Sequence, residues 1–290
     1  MFTGAMVALI TPFHEGEIDF ETLDELIEFH LENGIDAIVP VGTTGESPTL
    51  SFDEHKRVIE RVVKGVGGSV PVIAGAGSNS TAEAIELTSF SKKVGADATL
   101  QVCPYYNKPT QEGFYQHFKA ICEEVDLPMI LYNIPGRCGA GLTPETIARL
   151  SELDNVVGIK EATGSLDQAS EIAMRCDLTI LSGDDSLTLP IASVGGKGVI
   201  SVVANIVPAD VKAMTDLILE GDLVKARQWH RKLFTLSKNM LTLATNPIPI
   251  KAAMAMLDMA SEELRLPMTP LTESQKAALK QTLTSYGLLS

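Results

Sequence analysis

The chain predicts an α/β fold: a closed (β/α)8 TIM barrel with a C-terminal helical appendage. Three observations carry that expectation. Short β-rich apolar runs alternate with longer amphipathic stretches, eight times within roughly 220 residues. The spacing is even, and eight units exceed the roughly five or six of an open doubly wound sheet, the competing arrangement. From Asp222 onward no strand pattern appears, and the tail reads as about three helices broken at Asn246-Pro247-Ile248-Pro249 and Pro267-Met268-Thr269-Pro270. The expected organisation is a catalytic barrel over residues 1–221 and a helical region over residues 222–290.

Taken in order, Met6–Ile10 is the first strand, closed by Thr11-Pro12, and a helix from Asp19 to Glu32 stops at Asn33-Gly34. Ala37–Val41 is the second strand, with Gly42-Thr43-Thr44-Gly45-Glu46 as its loop. Ser51 with Glu54 makes a capping box for the next helix, and Ser80 with Glu83 repeats the pattern after the third strand, Val70–Ala74. Ala98–Val102 is the fourth strand; its long loop holds Tyr105-Tyr106-Asn107-Lys108-Pro109, and a helix runs from Gln111 to Val125. Met129–Tyr132 is the fifth strand, leading to Pro135-Gly136-Arg137, and Thr143 before Pro144 starts a helix. Val156–Glu161 is the sixth strand, Leu178–Leu181 the seventh, followed by Gly183-Asp184-Asp185, and Val199–Val202 the eighth, with a helix from Ala209 to Leu219.

With 290 residues, 45% of them hydrophobic, the chain can bury a sizeable core. Its net charge of −14 argues against nucleic acid and anionic membrane surfaces as partners, and makes individual cations informative for any anionic substrate. The four cysteines have no metal-like spacing and read as reduced thiols. The start lacks a basic n-region and no apolar run reaches membrane-spanning length, so a soluble cytoplasmic protein is expected.

In such barrels the active site lies at the C-terminal ends of the strands. That rule gathers Thr43 and Thr44 after strand two, Tyr106 after strand four and Tyr132 at the end of strand five. Lys160 ends strand six, Gly183 follows strand seven, and Ile200 lies in strand eight. A lysine closing an apolar strand reads first as a strand end reaching for solvent or a carboxylate. Placed at a barrel mouth beside hydroxyls and a phenol, it suggests Schiff-base chemistry: a neutral amine attacks a ketone, and the resulting iminium draws electrons from the adjacent carbon. Burial must then lower the ammonium's pKa, and a proton shuttle is needed, for which Tyr132 is placed. Gly42-Thr43-Thr44-Gly45-Glu46-Ser47 suits a carboxylate or phosphate, but it lacks the lysine and spacing of a nucleotide loop. Gly75-Ala76-Gly77 lacks the third glycine of a dinucleotide fingerprint. Asp184-Asp185 reads as a helix start rather than a metal site, and the five histidines as structural or surface residues, so no metal centre is expected.

Four motifs in combination resemble the dihydrodipicolinate synthase family: Val41-Gly42-Thr43-Thr44-Gly45-Glu46-Ser47, Pro104-Tyr105-Tyr106-Asn107-Lys108-Pro109, Tyr132-Asn133-Ile134-Pro135-Gly136-Arg137 and Gly158-Ile159-Lys160-Glu161-Ala162-Thr163. Ser182-Gly183-Asp184-Asp185 also fits, and the similarity runs from Gly4 to Lys251. The resemblance implies a class I aldolase-type lyase. It would condense pyruvate with L-aspartate 4-semialdehyde to give 4-hydroxy-tetrahydrodipicolinate, on the route to diaminopimelate and lysine.

Carried over by position, the resemblance makes Lys160 the Schiff-base residue, and Tyr132, Thr43 and Tyr106 a hydroxyl relay, with Tyr106 donated across a dimer interface. Thr43 and Thr44 would hold the pyruvate carboxylate, Arg137 the carboxylate of the second substrate, and Gly183 and the Ile200 backbone would line the pocket. It implies a homotetramer built as a dimer of dimers, and no metal or organic cofactor, because the lysine is the electron sink. Ser47, His55, Asn79, Glu83 and Tyr105 match a lysine feedback site, although Phe52 and Pro48 stand where histidine and alanine are common there. Cys138 stands where threonine is expected. The alternatives are a related aldolase acting on N-acetylneuraminate or a 2-keto-3-deoxy sugar acid, and a non-catalytic barrel that binds a keto acid.

Overall fold

The computed structural model describes residues 2–290. Eight parallel strands form one sheet: β1 (Gly4–Ala8), β2 (Ala37–Val39), β3 (Ile73–Gly75), β4 (Ala98–Val102), β5 (Met129–Asn133), β6 (Val156–Glu161), β7 (Thr179–Ser182) and β8 (Gly198–Ser201). β1 pairs with both β2 and β8, and neighbours in sequence pair along the rest of the sheet. The remaining seam, between β2 and β3, is closed by a bridge from Ile38 to Val72 and by the Gly75 amide donating to the Pro40 carbonyl at 3.0 Å. The closed barrel expected from the alternating pattern is therefore present.

Alternation along each strand sorts the side chains. Met6, Ala8, Ala37, Val39, Ile73, Ala98, Leu100, Ile130, Tyr132, Leu181 and Ile200 form the interior cluster. Ala5, Val7, Ile38, Val199, Leu131, Ile159 and Ile180 belong to the two outer clusters, between strands and helices.

The surrounding helices are α1 (Phe20–Glu32), α2 (Phe52–Val66), α3 (Thr81–Val94), α4 (Gln111–Glu124), α5 (Pro144–Leu150), α6 (Leu166–Arg175), α7 (Thr188–Ser193) and α8 (Pro208–Leu219). Three more follow: α9 (Leu223–Thr242), α10 (Ile248–Met256) and α11 (Glu273–Tyr286). The boundary expected at residue 221 falls in the turn between α8 and α9, and one apolar cluster joins Leu9 and Phe13 to Leu236, Met240, Ile250 and Met254.

Several local expectations shift. β1 ends at Ala8 because the Ile10 amide turns to the Asn205 side chain, at 3.2 Å, instead of a neighbouring strand. β3 starts late, at Ile73, after a proline that has no amide to give. The Ser51–Glu54 capping box forms in full. At α3 only half does: the Ser80 hydroxyl caps the Glu83 amide, but the Glu83 carboxylate accepts from Ser78 Oγ at 2.7 Å. A two-stranded hairpin, Phe13–His14 with Glu17–Ile18, was not anticipated, since its turn is Glu15-Gly16 rather than an asparagine–glycine pair; both turn residues hold positive φ.

Candidate active site

Parity and register bring the lysine and the tyrosine together. Tyr132 pairs with Lys160, and Lys160 with Leu181, on three adjacent strands. Both side chains point inward, and Lys160 Nζ lies 4.3 Å from the centroid of the Tyr132 ring. Lys160 is only 5% exposed and, among the described residues, makes no ion pair within 4 Å.

Burial is the main cause that lowers its pKa to about 8; the Asp185 carboxylate opposes the drop and the Arg137 guanidinium reinforces it. A substantial fraction of the amine is then neutral near physiological pH, as a nucleophilic lysine requires. Burial pushes the Tyr132 phenol up to about 12, with the Thr43 hydroxyl acting against the rise, so the phenol stays protonated and can donate.

A cavity of about 300 Å³ opens at this end of the barrel, and Thr43, Tyr132, Arg137 and Cys138 are among its walls. Thr43 and Thr44 stand in a tight loop whose flanking residues, Val41 and Glu46, both hold left-handed φ, 49° and 54°. Within the loop the Glu46 amide donates to the Thr43 carbonyl at 3.2 Å, and Thr11 Oγ1 donates to the Gly45 carbonyl at 2.7 Å.

Gly183 supplies room: a Cβ there would lie 2.6 Å from Ala162 Cβ and 3.2 Å from Lys160 Cε. Ile200 is an interior residue of β8, as expected. Arg137 sits in the single helical turn Pro135–Cys138, and its Nη2 donates to the Asn246 carbonyl at 3.0 Å. Cys138 is buried at the same turn. Thr43, Tyr132 and Arg137 line the cavity, whereas Lys160, Thr44, Gly183 and Ile200 are not among its walls; neither is Tyr106, which is 89% exposed, at φ 71°.

A second cavity, about 120 Å³, has Ser47, His55, Glu83 and Tyr105 among its walls, with Pro48 and Phe52. Asn79 touches that group through Nδ2, which donates to the Tyr105 carbonyl at 3.1 Å.

The structure adds residues and contacts that the sequence did not reveal. Asp184 is the helix-starting residue expected, accepting from the Ser186 amide at 3.0 Å. Asp185 is the first residue of that short helix, as expected, and is in addition buried, accepting from the Val202 and Val203 amides at 2.8 and 3.2 Å and so fixing the chain just beyond β8. Behind Tyr132 and Lys160, Asn133 takes the Leu142 amide at 3.0 Å, and Glu161 takes the Thr163 amide at 2.7 Å, so the strand ends are braced from outside. Beneath the threonine loop, the fully buried Lys251 of α10 pairs with Glu46 at 2.6 Å and donates to the Thr11 carbonyl at 3.0 Å. A buried polar residue at an outward-facing strand position, or a lysine inside an apolar helix, was the available signal for these.

Fold and site together define a class: a (β/α)8 barrel equipped for imine-forming, class I aldolase-type chemistry. The chain belongs to the Dihydrodipicolinate synthetase family, whose profile matches residues 1–286. It is 55% identical, over the full length of both chains, to a 4-hydroxy-tetrahydrodipicolinate synthase of Geotalea uraniireducens. The crystal structure of dihydrodipicolinate synthase from Aquifex aeolicus superposes with a TM-score of 0.97 at 51% identity, covering 99% of each chain. That of the Acinetobacter baumannii enzyme, chloride-inhibited and complexed with pyruvate, superposes with a TM-score of 0.97 at 42% identity over the whole of both chains.

Proposed function

We propose that this chain is a lyase, a 4-hydroxy-tetrahydrodipicolinate synthase, condensing pyruvate with L-aspartate 4-semialdehyde in diaminopimelate and lysine biosynthesis. The observation that carries the reading is the buried Lys160, its pKa lowered to about 8, against Tyr132, which shares a small cavity with Arg137.

The neutral Lys160 amine adds to the C2 carbonyl of pyruvate, and loss of water leaves an iminium. Loss of a C3 proton gives an enamine, whose C3 attacks the aldehyde carbon of the second substrate. The amino group of that substrate then adds to the iminium carbon and displaces the lysine amine, closing the ring. One water leaves overall and no redox change occurs. Tyr132, protonated at neutral pH, gives and takes the protons of these steps together with Thr43. Thr43 and Thr44 hold the pyruvate carboxylate, Arg137 the carboxylate of the semialdehyde, and Gly183 and the Ile200 backbone shape the pocket.

Tyr106 completes the relay from a neighbouring copy in a homotetramer. An exposed aromatic at positive φ, idle in its own chain, supports that role. Mixing Lys160→Ala and Tyr106→Phe chains under exchange conditions tests it. Restored activity is expected, because one mixed site carries both wild-type residues; no restoration contradicts it.

The 120 Å³ cavity is the expected lysine feedback site. Full activity at saturating lysine would end that reading. We place the protein in the cytoplasm, in keeping with its four free cysteines and with the absence, among the described residues, of a helix long and apolar enough to cross a membrane. Side-by-side assays with pyruvate plus aspartate semialdehyde and with N-acetylneuraminate test the substrate: turnover of the first pair is expected, and turnover of the second alone would refute the assignment.

A further inference from the structure

Asn246, the first residue of the Asn246-Pro247-Ile248-Pro249 break, occupies the junction of α9 and α10, far in sequence from the threonine loop and from Arg137, yet it touches two of the proposed substrate-binding groups. Its Nδ2 donates to Thr44 Oγ1 at 3.0 Å, and its main-chain carbonyl accepts from Arg137 Nη2 at 3.0 Å. Thr44 comes from the loop after β2 and Arg137 from the turn after β5, so Asn246 is a cross-barrel tie between them. Asn246 is 5% exposed, and its Oδ1 is buried with no hydrogen-bond partner. An unpartnered buried acceptor is unfavourable, and a small apolar side chain would avoid it. Among the described residues, the one side-chain hydrogen bond the amide makes is through its donor, to Thr44. A hydroxyl has one hydrogen. By filling a lone pair on Thr44 Oγ1, Asn246 leaves that hydrogen free for another acceptor. Lys251, buried against Glu46 one turn further along α10, holds the junction in register with the threonine loop.

We propose that Asn246 is a positioning residue for substrate carboxylates: it presents the Thr44 hydroxyl as a donor and holds it in fixed relation to Arg137. The inference rests on the reading above in which Thr44 receives the pyruvate carboxylate.

The test uses the full-length protein and two readouts: the pyruvate dependence of borohydride trapping on Lys160, and steady-state kinetics with both substrates. Asn246→Ala should raise half-saturating pyruvate about five- to tenfold, as expected when one hydrogen-bonding neighbour is lost. It should leave kcat within about twofold and Tm within about 2 °C, because it also removes an unpartnered acceptor. Asn246→Asp keeps the shape, but its carboxylate would capture the Thr44 hydrogen and repel the substrate anion, so it should raise half-saturation further than Asn246→Ala. In Thr44→Val protein, adding Asn246→Ala should change half-saturation little, since the tie acts through Thr44. Unchanged half-saturation in Asn246→Ala would overturn the proposal. So would an Asp variant milder than the Ala variant, the order a space-filling role predicts, or multiplicative effects of the Thr44 and Asn246 changes. Wild-type protein that forms no pyruvate adduct at all would instead overturn the imine reading, and this inference with it.

Discussion

Replacing Lys160 by methionine should make the protein more stable while abolishing its chemistry. The side chain is buried against the Tyr132 ring and makes no ion pair, so its ammonium is held in an unfavourable setting. The cost follows from its titration. Burial lowers its pKa from the ordinary 10.5 to about 8, which corresponds to about 3 kcal/mol at ~1.4 kcal/mol per pKa unit. Methionine has similar length, no charge, and a sulfur that packs well on aromatic rings. The sign is set by the direction of the shift. Below about pH 8 both folded and unfolded lysine are protonated, and the wild-type protein bears the full cost. Between about 8 and 10.5 the folded lysine loses its proton while the unfolded one keeps it, so wild-type stability rises with pH and the methionine advantage shrinks.

Guanidinium unfolding of both proteins, at one concentration because assembly adds to apparent stability, measures this. A midpoint about 0.5 M higher for Lys160→Met at pH 7 is expected, taking a denaturant slope of about 6 kcal/mol/M. The gap should close by pH 10.5. A methionine variant no more stable than wild type, or an advantage that persists unchanged at pH 10.5, would refute the claim that the lysine is strained by burial.

Other consequences follow from the same geometry. With neutral Lys160 as the proposed nucleophile, iminium formation should rise about tenfold per pH unit below about pH 8 and flatten above it, read by stopped-flow trapping; a rate already flat from pH 6 would contradict the assignment. Gly183→Ala would place a methyl group 2.6 Å from Ala162 Cβ, so something must shift there, and 3.2 Å from Lys160 Cε, which must give by a few tenths of an ångström; trapping should slow about tenfold, less than the ~10²-fold of a 1 Å misplacement, while the circular dichroism spectrum is retained. Glu46→Ala would leave Lys251 buried without its carboxylate and should cost about 3–5 kcal/mol in denaturant unfolding; the loss should be recovered largely by adding Lys251→Met, and a double variant as unstable as the single one would show that the pair matters for something other than charge.

What the sequence made legible, and what it hid, divides along the range of the interactions. β4 and β6 match their expected limits because an apolar run bounded by turns is a local signal. β1 slips by two residues because the side chain that takes the Ile10 amide, Asn205, lies 195 residues away. The same holds at the site. Lys160, Tyr132, Thr43 and Gly183 could be gathered by one rule, that barrel chemistry sits at the C-terminal strand ends. Asn246 to Thr44 spans 202 residues and Lys251 to Glu46 spans 205, and no pattern of spacing reaches that far. Asp185 starts a helix, as expected, but its second role was hidden for another reason. It adjoins Asp184, which is a helix cap, and two neighbouring aspartates look alike until one is found buried on the β8 end.

Lys160 is the proposed amine that forms an imine with pyruvate. Incubating wild-type protein with pyruvate, reducing with borohydride and mapping peptides tests it most directly. The account predicts a single carboxyethylated lysine, Lys160, formed only when pyruvate is present and absent from Lys160→Met protein. Folded protein that forms no adduct, or an adduct on another lysine, would contradict it.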